Sequence, residues 1–206
     1  MLLGAQRPII QAGQGVLYAS GTASEKLQTL AELTGVPVMT SMAGKSAFPE
    51  THPLSLGTRS STTTDMVVHF LDKSDLVFGI GTSFTRIHHG MDKFDDKTLV
   101  QITNCSDDLN KDYDVDHAIL GDAELVLEEL ILEIRELLGS NSDAQKFDFI
   151  NEINEVREAW LKEWSPLLKS EETPINPYRV IHELAKNTNP RQTIVTHDSG
   201  SPRDQI

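Results

Sequence analysis

Short apolar runs alternate with helix-period segments across residues 8–140, and this alternation constrains the fold more than any single motif does. "PIIQAG" opens it. "TASEKLQTLAELTG" follows, with Leu27, Leu30, Ala31 and Thr34 on one face, Thr22 and Glu25 spaced as a capping box, and Gly35 as a stop. The alternation resumes as "VPVMT", a polar stretch without clear period, the helix "DMVVHFLDKS" and the strand "DLVFGIG". After a second irregular stretch come "KTLVQIT" and "DHAILG". The pattern closes on "DAELVLEELILEIRELLG", with Asp122 placed to cap it and Gly139 to end it. Leu127, Leu130, Ile131, Ile134, Leu137 and Leu138 form its apolar stripe. Near-continuous apolar strands separated by helices indicate a parallel sheet covered on both faces, so the expected class is a doubly wound α/β domain.

The register changes after Gly139. "SNSDAQ" reads as a break, followed by an acidic helix with Phe149, Ile153, Val156, Trp160 and Trp164 at helical spacing. "SPLLKSEETPINP" is linker-like, and Asn176-Pro177 marks a new helix with Val180, Ile181, Leu184 and Ala185 inside. "TIVT" (Thr193–Thr196) then reads as a strand and Asp198-Ser199-Gly200 as the turn after it. The expected organisation is a first domain over 1–139, an acidic helix and linker over 140–175, and the start of another domain over 176–206.

Charge and composition exclude several classes. The 206 residues carry a net charge of −13, and residues 121–172 alone hold an acidic excess of nine. No basic face is left to meet phosphates, so nucleic acid is not an expected partner. Nothing approaches the roughly 18 consecutive apolar residues of a membrane span. The single Cys105 leaves no internal disulfide and no cysteine metal cluster, and a reducing, cytoplasmic setting is the default.

Candidate chemistry is sparse. Gly13-Gln14-Gly15 follows the first strand, where parallel sheets bind dinucleotide phosphates, but the third glycine of that fingerprint is replaced by Tyr18. "FGIGTSFTR" supplies a second glycine turn, with Gly79 and Gly81 followed by Thr82, Ser83 and Arg86 as donors for an anion. Adjacent His88 and His89 point apart on any regular element and make a poor metal pair. His69 and His117 lie in apolar patterns and read as packed or capping residues. No nucleophile, acid–base pair or metal set is assigned.

"GVPVMTSMAGKSAFPETHPLSLG" resembles the central domain of thiamine diphosphate-dependent enzymes, the acetolactate synthases and their relatives. The resemblance rests on Pro37-Val38, Gly44-Lys45, Phe48-Pro49, His52-Pro53-Leu54 and Gly57. "RPIIQAGQGV", "SDLVFGIGTSF" and "VDHAILGDAELVLEEL" fall in the family's order, and "PINPYRVIHEL" with "TIVTHDSG" is similar to the opening of its diphosphate-binding domain. It implies a three-layer α/β/α Rossmann-like domain with a mostly parallel, about six-stranded sheet of the DHS-like NAD/FAD-binding type. It further implies that the chain is an interior piece of a longer homo-oligomeric enzyme acting on a 2-oxo acid. Thiamine diphosphate and magnesium would then be held by N- and C-terminal catalytic domains outside this chain, leaving this piece inactive alone.

The family's central domain holds FAD in the synthases, ADP in some decarboxylases and nothing in others. Matching positions imply contacts from Gly13, Gly15, Met42, Gly44, Gly57, Thr58, Gly81, Ser83 and Phe84, with Asn104 near an adenosine, and Arg86 is a further candidate contact. Two departures stand out: Asn104 replaces an acid after the fourth family strand, and Arg86 is out of register with the family's arginine. A different class, a stand-alone NAD- or ADP-binding Rossmann-like module, shares the fold. So does a scaffold without any ligand.

Overall fold

A computed structural model describes all residues except 20, 87–93, 140–145, 191 and 197–206. Six strands form one sheet: β1 (Pro8–Ala12), β2 (Val38–Ser41), β3 (Ser55–Arg59), β4 (Leu76–Ile80), β5 (Thr98–Thr103) and β6 (His117–Leu120). Their order is β3-β2-β1-β4-β5-β6, and every pairing is parallel. The six-stranded Rossmann-like expectation holds, with a wholly parallel sheet where a mostly parallel one was expected.

β1 and β4 are buried at all five positions each, which is why their sequences run apolar instead of alternating. Helices α1 (Gln14–Tyr18) and α2 (Ala23–Thr34) join β1 to β2, and α2 packs on α4 (Ala123–Leu138). Helix α3 (Asp65–Lys73) joins β3 to β4 and buries Met66, Val67, Phe70 and Leu71. Apolar residues three and four apart along α2 and α4 give each an inward stripe: Leu27, Leu30 and Ala31 on α2, and Leu127, Ile131 and Ile134 on α4.

Several local expectations are met. Asp122 accepts from the Glu124 and Leu125 amides, and Asn176 caps α6 (Pro177–Asn187) through the Tyr178 amide. Others need correction. Thr22 caps nothing with its side chain; its amide and hydroxyl both donate to Glu124 (3.2 and 3.0 Å), so tertiary pairing between α2 and α4 replaces the capping box. Leu137 lies off the buried stripe of α4 and is 72% exposed. His117 opens an edge strand exposed at all four positions, so it is not packed. Thr193–Thr196 forms no strand and lies exposed, Ile194 by 92%, because a strand needs a partner and no described strand pairs with it. His88, His89 and the Asp198-Ser199-Gly200 turn lie outside the described residues.

The chain divides into two compact units, Met1–Val156 and Arg157–Ile206. The first runs past Gly139 because residues 147–153 pack back on it. The Phe147 amide donates to the Thr34 carbonyl, and Phe149 meets Phe70 edge-on. There Glu152, at the start of α5 (Ile150–Leu168), accepts from Arg7 (2.8 Å), His69 (2.7 Å) and Lys73 (3.4 Å). In the second unit α5 continues through Pro166, so helix occupies the start of the expected linker. Trp160 and Trp164 lie at tilted rings, and Tyr178 of α6 packs edge-on against Trp164. Val180 and Leu184 of α6 remain exposed, so the expected inner face is not buried among the described residues.

Among the described residues, no helix is long and apolar enough to cross a membrane.

Candidate functional site

The strand order reverses between β1 and β4, so the chain leaves these neighbours toward opposite faces of the sheet. In open parallel sheets the crevice at such a point, beyond the carboxyl ends of the strands, is where ligands bind. Every predicted contact residue sits on that edge or just inside it. Gly13 and Gly15 follow β1, and Met42 and Gly44 follow β2. Gly57 and Thr58 lie in β3, Gly81, Ser83, Phe84 and Arg86 follow β4, and exposed Asn104 follows β5.

The structure brings Gly13, Gly15, Gly44 and Gly81 together, backbone against backbone. The Gly15 amide donates to the Gly81 carbonyl (2.8 Å), Gly13 to Ile80 (2.9 Å) and Gly81 to Ile102 (2.8 Å). The Gly44 amide donates to the Ser41 carbonyl and hydroxyl, both at 3.0 Å. A Cβ on Gly15 would come 2.7 Å from Gly81 Cα, and one on Gly44 would come 2.6 Å from the Ala12 carbonyl. A Cβ on Gly13 would strike the Gly81 carbonyl. Close approach of three strand-end turns therefore accounts for these glycines, and their amides are engaged within the protein.

Thr58 hydrogen-bonds Thr40 across the β2–β3 ladder (3.0 Å), and Ser83 pairs with Thr85 (2.7 Å). Met42 is an exposed side chain on the loop after β2. Phe84 folds back over Gly79, its Cε2 lying where a Cβ on Gly79 would come within 2.7 Å. Arg86 reaches the 110–113 segment. Its amide donates to Asp112 Oδ2 (2.7 Å), its Nη2 to the Asp112 carbonyl (3.2 Å), and its guanidinium lies 4.9 Å from the Tyr113 ring centre.

Sequence reasoning missed the groups beneath this edge. Gln11, Gly79 and Gln101 stand in one row across β1, β4 and β5, so the two glutamines share a face and flank the glycine. Gln11 Nε2 donates to the Thr82 hydroxyl (3.1 Å), and Gln101 Nε2 to the carbonyls of Thr82 (3.0 Å) and Asp108 (2.9 Å). Buried Arg59 lies 4.3 Å over the Phe94 ring, and Phe94 packs edge-on against both Phe84 and Tyr113. A signal for the glutamines existed, since each is a polar residue inside an otherwise apolar strand. Arg59 and Phe94 are far apart in the chain and carried none.

The family described as "Thiamine pyrophosphate enzyme, central domain" matches residues 1–130. The chain belongs to this family. A "Probable acetolactate synthase large subunit" of Methanococcus aeolicus is 31% identical, aligned over 97% of this chain and 34% of that protein. An "Acetolactate synthase" of Mycobacterium leprae is also 31% identical, over 95% of this chain and 31% of its own length. An "Acetolactate synthase large subunit" of Corynebacterium glutamicum is 34% identical over 62% of the chain. This central-domain chain thus spans about a third of the length of the first two relatives.

A dinucleotide's diphosphate needs free N–H donors or cations. Beneath this edge of the central domain, Gln11 Oε1, Gln101 Oε1 and the Tyr113 hydroxyl are buried without a hydrogen-bond partner among the described residues. The glycine amides are engaged, Lys45 lies 3.7 Å from Glu50, Lys111 lies 3.7 Å from Asp108, and Arg59 and Arg86 are held as described.

Proposed function

We propose that this chain is the central, bracing domain of a thiamine diphosphate-requiring enzyme that decarboxylates or joins 2-oxo acids. The reaction would be carried by catalytic domains on either side of it. The observation that supports this best is the likeness to acetolactate synthases: it runs through both compact units, yet covers only about a third of each relative. In this reading thiamine diphosphate and magnesium belong to the flanking domains. Among the described residues no group of three or more His, Cys, Asp or Glu comes together to hold a metal ion. The whole protein would be a transferase or lyase, homo-oligomeric and cytoplasmic.

The test is direct. Purified residues 1–206, supplied with pyruvate, thiamine diphosphate and magnesium, should release no carbon dioxide and form no acetolactate. Turnover above the buffer rate would overturn the reading. So would a native polypeptide no longer than this chain, measured by mass spectrometry of the protein from its source.

A further inference from the structure

We propose that β6 is a docking edge whose free side takes an extended segment of a partner protein, a strand-forming stretch with Lys or Arg at both ends. This surface is independent of the reaction that the whole enzyme performs. β6 is the last strand of the order, paired with β5 on one side and with no described strand on the other. Backbone groups along such a side are left unpaired. Successive residues of a strand point to opposite faces, so exposure at His117, Ala118, Ile119 and Leu120 alike opens both faces of β6 to solvent. The other end of the sheet differs. There Ser55, Leu56 and Arg59 of β3 are buried, and α3 packs against that strand. α4, which follows β6, packs mainly on α2. A parallel sheet is ordinarily covered on both faces. A terminal strand with Ile119 36% and Leu120 60% exposed is therefore a template for another strand.

Charge decides the occupant. Asp114 and Asp116 precede β6 and Asp122 follows it, and residues 114–122 contain no Lys or Arg. Asp116 accepts from the Leu99 amide and Asp122 caps α4, bonds that leave both carboxylates charged. A second copy related by a two-fold axis would pair antiparallel. With Ala118 opposite Ile119 of the second copy, Asp116 would face Gly121 and Val115 would face Asp122, so carboxylates would crowd both ends of the pairing. The net charge of −13 on each copy adds to that repulsion. A segment with a cation at each end meets opposite charge there instead. Asp116 and Asp122 stand six positions apart, about 20 Å along a strand, and the two cations belong at the same spacing. Main-chain bonds to β6 supply affinity, and the flanking cations select the partner.

Amide NMR of the purified 206-residue chain tests this with two end-blocked peptides. One is Lys-Thr-Val-Thr-Val-Thr-Lys, which puts both lysines and both valines on one face; the other has Glu in place of each Lys. The lysine peptide should shift the His117–Leu120 amides saturably, with a Kd of about 0.1–1 mM at low salt and about tenfold weaker near 0.5 M salt. Leu120→Lys, which puts a cation on the free edge, should weaken that binding about tenfold while the amides of β1 and β4 keep their positions. Three results would each overturn the proposal: no saturable shift at β6, equal binding of the glutamate peptide, or unchanged binding in Leu120→Lys. Concentration-dependent β6 shifts in the chain alone would also overturn it, by assigning the edge to a second copy. No reading involves a 2-oxo acid, so the turnover test of the whole-enzyme reading stays separate.

Discussion

Gly81 shows how one residue can hold an edge together. Its φ is +59°, a region side chains rarely occupy, and a Cβ there would lie 2.6 Å from the Val16 amide nitrogen. Gly81→Ala should therefore cost about 2–4 kcal/mol, combining backbone strain with a steric clash that neither turn can relieve. Gly4→Ala is the control, because nothing lies within 4 Å of its added Cβ. Urea unfolding of both variants should show a large fall in midpoint for the first and almost none for the second. The glycines of a presumed phosphate turn can thus be demanded by packing alone. Their spacing in the chain could not separate the two causes.

At the scale of elements, Glu152 fastens the start of α5 to the opening of β1 and to α3. Burial disfavours its charge, yet His69, Arg7 and Lys73 more than offset this and hold its pKa down to about 2. A carboxyl whose folded pKa is depressed adds stability above its ordinary pKa of about 4.5, and that stability is lost as pH falls toward 2. After solvent screening the contribution is on the order of 1–2 kcal/mol. Glu152→Gln should lower the urea midpoint at neutral pH, and the gap to the unaltered protein should narrow on acidification to about pH 3. Equal midpoints at neutral pH would count against this role.

In the second unit, α6 depends on its cap instead. Asn176 accepts from the Tyr178 amide and is itself held by Glu172. Asn176→Ala should cost about 1 kcal/mol of local helix stability, read as faster exchange of the first α6 amides.

For the molecule as a whole, stability is unevenly distributed. β1 and β4 are buried throughout and paired on both sides, whereas Asn176 is the only buried residue described in the second unit. Amides of α6 should exchange through local opening, and those of β1 and β4 only through global unfolding. Uniform protection across both units would contradict this. Thr193–Thr196 belongs to the same sparsely buried unit. Its composition suits a strand, but composition supplies no neighbour, and among the described residues the segment pairs with no strand and lies exposed.

By itself, the order of apolar runs and helical stripes determined a doubly wound parallel sheet, because strands covered on both faces, such as β1 and β4, run mostly apolar instead of alternating. The caps at Asp122 and Asn176 were equally legible, since a cap is a contact between residues two or three apart. Tertiary structure alone decided what stands at the carboxyl edge. The contacts of Arg86 with Asp112, of Arg59 with Phe94, and of Thr22 with Glu124 span 26, 35 and 102 positions respectively. No local periodicity encodes such separations, so only the folded sheet reveals that these groups hold one another.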